Sequence, residues 1–104
     1  MEQLTSKTFA THLHTIFSVE IPETLELELT EVTDSSNAAV EQFSVTFKGP
    51  APLMLQQGTY TLHHPQMKQL TLFLVPLGQR DGRTTYEAIF TRLVDAAKPA
   101  PVAN

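Results

Sequence analysis

Apolar residues recur at every second position through most of this chain. That period restricts it to strands with one dry face and one wet face. In FSVEI the apolar residues are Phe17, Val19 and Ile21, and in LELELTEV they are Leu25, Leu27 and Leu29, separated by Glu26 and Glu28. FSVTF repeats the pattern with Phe43, Val45 and Phe47, TYTL with Tyr60 and Leu62, and TTYEAIF with Tyr86, Ala88 and Phe90. After Leu29 the phase slips: Glu31 stands where an apolar residue is due and Val32 takes over. One extra residue near Thr30, a bulge, accounts for the slip.

The segment QLTLFLVPL departs from this pattern. From Leu70 to Val75 only Thr71 is polar, so Leu70, Leu72 and Leu74 make one face while Phe73 and Val75 make the other. A strand apolar on both faces must be covered on both. The N-terminal stretch LTSKTFATHLHTIF offers one cover, because Thr5 or Ser6 caps a helix predicted over about 6–13 that carries Phe9 and Leu13 on one face. Failing the helix, a partner protein covers the strand, and Phe73, Val75 and Phe9 form the candidate partner surface.

The connectors carry turn chemistry. DSSNAA at 34–39 is a polar loop, GPAP at 49–52 a longer break, and Pro65 to Lys68 a hairpin turn leading to Leu70. Asp81-Gly82 marks a tight hairpin, since glycine accepts positive φ without steric cost. The expected fold is mainly β. A short N-terminal helix precedes a six-stranded antiparallel meander that forms a small closed or nearly closed barrel. Closure hides the edges an open sheet exposes. With 104 residues the chain makes one domain, expected over 1–93, and a disordered C-terminal tail over 94–104 that ends in AAKPAPVAN. A domain of this size buries about 65% of the surface its unfolded chain exposes.

Several function classes lose support from the totals. The formal net charge is −4, and the seven Lys and Arg residues are scattered, so nucleic acid is not an expected partner. There is no cysteine, which removes disulfides, thiolate chemistry and cysteine zinc sites and favours the cytoplasm. MEQLTSKTFATHL has neither the basic start nor the apolar run of a signal peptide, and no apolar run reaches the roughly 20 residues that span a bilayer.

Catalytic and cofactor sites are not expected either. Ser18, Ser35, Ser36 and Ser44 lack the G-x-S-x-G context of a nucleophile elbow, and the four glycines are isolated, so no phosphate cradle is present. Glu26 and Glu28 alternate with leucines on the wet face, where nothing pushes their pKa values apart. The histidines are the one pointed question. His63 and His64 are neighbours in a strand and face opposite ways, so they cannot share a metal while the strand continues. His12-x-His14 and His63-His64 lack the spacing of known metal motifs. The expected arrangement is His63 facing solvent and His64, ahead of Pro65, hydrogen-bonding the turn.

The order of these segments resembles a family of small bacterial domains of unknown function. The resemblance rests on SKTFATHL, TIFSVEI and LELELTEV, then Phe47-Lys48-Gly49-Pro50, Gln57-Gly58-Thr59-Tyr60, His64-Pro65, Phe73-Leu74-Val75-Pro76 and Tyr86-Glu87-Ala88-Ile89-Phe90. It covers most of residues 5–91, and its motifs mark turns and core positions. Where the family pattern has a glycine-containing turn after the helix, this chain has Leu13-His14-Thr15. The resemblance implies an association with phage-tail collar-type proteins, and so a place in a tail-like or fibre assembly. The expected function is a non-enzymatic interaction or assembly module with a protein partner, with a homodimer through an edge strand also open. The alternative is a small-ligand-binding barrel. A metal-dependent enzyme ranks last.

Overall fold

Burial alternates along the strands as the sequence alternates. The computed structural model describes residues 5–21, 25–50 and 54–93. The predicted tail over 94–104, Pro22 and residues 51–53 of the Gly-Pro-Ala-Pro break lie outside them. A helix, α1 (Ser6–Ala10), precedes six strands: β1 (Ile16–Val19), β2 (Leu25–Asp34), β3 (Val40–Pro50), β4 (Gly58–His64), β5 (Lys68–Arg80) and β6 (Arg83–Leu93). Every strand pair is antiparallel, and the strands close into a barrel in the order β1-β2-β3-β6-β5-β4.

The class is the expected one, but the order around the ring is not that of a single meander. Sequential pairing holds within each half, β1-β2-β3 and β4-β5-β6. Between the halves β3 pairs with β6 along its whole length, from Val40↔Leu93 to Pro50↔Arg83. The ring closes on a short seam, Ser18↔His63 and Val19↔Leu62, extended by a hydrogen bond of 2.8 Å from Glu20 N–H to Thr61 C=O. The long β3–β6 ladder satisfies more backbone groups than any pairing of β3 with the shorter β4, and buried backbone groups must be paired.

Local features follow the sequence closely. The β2–β3 register shifts between Leu29 and Glu31, placing the bulge at Thr30 and turning Val32 back toward the core. Asp81 and Gly82 both have positive φ, 54° and 76°, as a two-residue hairpin between paired Arg80 and Arg83 requires. The helix is shorter than predicted. Thr5 caps it by accepting a 3.1 Å bond from Thr8 N–H, and it ends at Ala10, not near 13. His14, at φ 65°, turns the chain back into β1, and its N–H donates to Leu29 C=O. A positive φ of this kind is one that glycine adopts without steric cost, so His14 holds an unusual backbone position.

The inward rows of Phe17, Leu27, Leu29, Val45, Phe47, Leu62, Leu74 and Tyr86 fill the interior and are fully buried. Just ahead of β4, Leu55 and Gln56 are held by both tyrosines of the chain. Leu55 N–H donates to the Tyr86 hydroxyl at 2.9 Å, and the Tyr60 hydroxyl donates to Gln56 C=O at 2.6 Å. At one mouth of the barrel Phe9 of α1 packs against both Phe43 and Phe90, with ring centroids 6.0 and 5.4 Å away. Phe43 and Phe90 are themselves stacked at 4.6 Å.

Gly49, in the Phe47-Lys48-Gly49-Pro50 motif, is buried because β2 runs close beneath it. A Cβ there would lie 2.5 Å from Leu27 Cδ2, inside a filled core. Gly49→Ala is expected to cost about 1–3 kcal/mol through overpacking. Gly58→Ala, whose added carbon meets nothing nearer than 3.8 Å, is expected to stay within about 0.5 kcal/mol of the native chain. Urea denaturation midpoints of the two variants check this.

Candidate functional site

The candidate partner surface splits in the structure. Phe73 is 51% exposed on the outer face of β5, opposite Thr59 of β4, and Val75 is half-buried and paired with Glu87. Phe9 is not beside them. It is completely buried, because a helix of five residues packs against β2 and β3 across the barrel mouth and spends its one large apolar side chain there. The outer face of 70–75 is thus not covered by Phe9, contrary to the expectation from the double apolarity of the strand.

A residue that the alternation did not single out joins Phe73. Ile89 is 62% exposed on β6, opposite Ser44 of β3. Phe73 and Ile89 each lie two residues from the Val75↔Glu87 pair, displaced the same way along their strands. The signal was present in TTYEAIF, where Ile89 is the apolar residue out of phase with Tyr86, Ala88 and Phe90. Leu77, 57% exposed, sits further along β5 where the register shifts between Pro76 and Gly78. Proline lacks an N–H and a bulge distorts the ladder, so this part of β5 is a poor template for another strand. β5 pairs with β4 over 68–74 and with β6 over 75–80. The outward-facing neighbours are short and polar: Thr59, Thr61, Thr71 and Ser44.

The histidines divide as expected. His63 faces outward and its Nε2 lies 3.2 Å from Glu20 Oε1. His64 is 5% exposed, and its Nδ1 accepts from Gln66 N–H and Met67 N–H, each at 3.1 Å. The side chain thus satisfies the backbone of the turn, much as an Asx side chain does. His12 meets His64 with ring centroids 4.8 Å apart. Among the described residues no group of three or more histidine or carboxylate side chains is placed to hold a metal ion.

The acidic residues form a surface network. Glu28 accepts from Arg83 Nη2 at 2.8 Å and lies 3.2 Å from His14 Nδ1. Arg83 first, and His14 after it, hold the Glu28 carboxyl below the ordinary glutamate range through hydrogen bonds to its charged form. Asp34 is lowered too, by the Ser6 hydroxyl and then by Ser36, which joins the start of α1 to the end of β2. Glu26 stays exposed, so the two glutamates of LELEL do not share a site. An open polar groove beside this network is lined by Thr30, Thr46, Lys48, Arg80, Arg83 and Glu87 on the outer faces of β2, β3, β5 and β6.

Fold and surface together define a small antiparallel barrel, stoppered at one mouth by a helix, with an apolar strip on its outer wall. Residues 4–90 match the family described as "Domain of unknown function (DUF6916)", and the chain belongs to that family. Neither the curated proteins nor the solved structures contain a match. No helix among the described residues is long and apolar enough to cross a membrane.

Two outcomes test these placements. Phe9→Ala is expected to cost about 3–5 kcal/mol, as for a buried aromatic, whereas Phe73→Ser stays within about 0.5 kcal/mol, and denaturant titration separates them. Arg83→Ala is expected to raise the pH at which the Glu28 carboxyl titrates toward the ordinary glutamate value. Carbon-13 NMR titration of the carboxyl carbon reads that change.

Proposed function

We propose that this domain is a non-enzymatic interaction or assembly module that binds a protein partner on the outer wall of β5 and β6. The observation that carries this reading is the exposure of Phe73 and Ile89, at 51% and 62%, on strands whose inner faces are already packed. Large apolar side chains brought out together on one wall bind by losing contact with water, and aromatic anchors dominate such interfaces. The threonines and Ser44 around them suit a flat β surface, with Glu87 as the charged neighbour on β6.

The resemblance noted from the sequence supports a finer version of the reading, in which the partner is a collar-type or fibre protein of a bacterial tail-like assembly. The cysteine-free chain supports action in the cytoplasm. The scattered cations give no support to a nucleic-acid partner. A barrel that carries a small ligand draws little support from an interior filled by Phe17, Phe47, Leu62 and Tyr86. A second copy on the same wall remains a competing partner, which a mass measurement distinguishes.

The test compares the native chain with a Phe73→Arg/Ile89→Arg double variant in affinity capture from the native host, read by mass spectrometry. Collar or fibre proteins are expected with the native chain and absent with the variant, while the melting temperature of the variant is unchanged. Capture of the same proteins by both, or of none by either, overturns the reading. A solution mass of about twice the 11.6 kDa chain, lost in the variant, assigns the wall to self-association instead.

A further inference from the structure

The mouth closed by α1 has a seam. On one side are His12 and Thr15, in the turn between α1 and β1; on the other are His64 and the turn from β4 to β5. Thr15 Oγ donates its only proton to His12 C=O at 2.6 Å. It therefore accepts from His64, whose Nε2 lies 2.9 Å away, so the proton of the neutral ring is on Nε2. Nδ1 is then the acceptor that Gln66 N–H and Met67 N–H require. Every polar atom of the His64 ring is committed, and the commitment is possible in one protonation state only.

We propose that this seam is an acid-operated latch: a proton on Nδ1 of His64 releases the α1 stopper from the barrel mouth while the strands stay paired. Protonation turns Nδ1 from an acceptor into a donor facing two other donors, so both turn N–H groups lose their partner at once. The ring cannot relieve this by flipping in place, because Phe17 lies 4.4 Å from it and His12 4.8 Å, centroid to centroid. A charge on His12 adds repulsion across the seam, pushing the helix side away from the strand side.

The groups around the latch give the charged ring no compensation. From the α1–β1 turn the ionisable neighbour is His12, of like charge when protonated. The same turn brings Thr15 and β1 brings Phe17, neither of which is ionisable. On β5 the residue paired with His64 is Lys68, another cation. Among the described residues no carboxylate is paired with His64, and Glu20 is engaged by His63 on the opposite face of β4. Burial first, and the charge of His12 second, accordingly lower the affinity of His64 for a proton. The unfolded chain binds that proton more readily, so the stability involved is complete above the ordinary histidine value of about 6.5 and is lost as the pH falls below it.

Release is local because α1 holds on at few points. Phe9, the Thr15–His64 contact, the Ser6–Asp34 bond and the backbone bonds around Leu29 attach it, whereas β3 and β6 share an eleven-pair ladder. Opening bares the Phe43–Phe90 stack that Phe9 covers. This inference is separate from the outer-wall reading and does not use Phe73 or Ile89.

Amide hydrogen exchange on the full chain at about pH 7.5 and about pH 5, corrected for intrinsic exchange rates, tests it. Residues 8–15 and 64–68 are expected to lose protection at the lower pH while 43–48 and 85–90 keep theirs. His12→Gln removes the like charge and is expected to move the loss to lower pH, and His63→Gln leaves it unchanged. Full protection of 8–15 at the lower pH, loss of protection everywhere together, or an equal shift in both variants overturns the latch.

Discussion

A ring of strands has two open ends, and keeping its apolar interior dry depends on closing both. Alternation places Phe17, Phe47, Leu62 and Leu74 inside, but a barrel wall alone leaves water free to enter along the axis. Toward one end this chain buries Leu55, ahead of β4, and at the other Phe9 on a helix of five residues. So short a helix is marginal by itself, and it persists because Phe9 is buried against Phe43 and Phe90 and because Thr5 caps its start.

The polar groups inside the two ends do structural work. At one end the Tyr86 hydroxyl accepts the Leu55 N–H, and at the other His64 accepts two turn N–H groups and bonds Thr15. Among the described residues no buried side-chain polar atom lacks a hydrogen-bond partner. A buried histidine satisfied in one protonation state makes that end sensitive to acid, whereas the other end is held by the Tyr86 hydroxyl. The two ends of the barrel therefore differ in what can open them.

The outer wall tells a different story from the interior. Glu28, Arg83 and His14 pair on the surface, where such contacts contribute little to stability, and the hydroxyls of several threonines face solvent. Against that background Phe73 and Ile89 are exposed apolar residues, as are Leu77, Ile16 and Met54 elsewhere on the surface. Scattered exposed hydrophobes need no explanation, but two at matching heights on β5 and β6 invite a partner. The DUF6916 family carries no assigned activity, and the surface is where a functional reading has purchase.

The sequence by itself determined the strands, their inward and outward faces, the bulge at Thr30, the Asp81-Gly82 hairpin, the placing of Phe73 on the face opposite Leu70, Leu72 and Leu74, and the turn-binding role of His64. Each depends on periodicity or on the φ preference of one or two residues, which are local properties. Only the tertiary structure decided that β3 lies beside β6, that the helix stops at Ala10, and that Phe9 enters the barrel mouth and leaves Phe73 bare. It also decided that Thr15 and His64, 49 residues apart, meet across the seam. These depend on how the two three-strand halves close on each other, and closure is set by long-range pairing and by the need to stop both ends, to which a two-residue rhythm is blind.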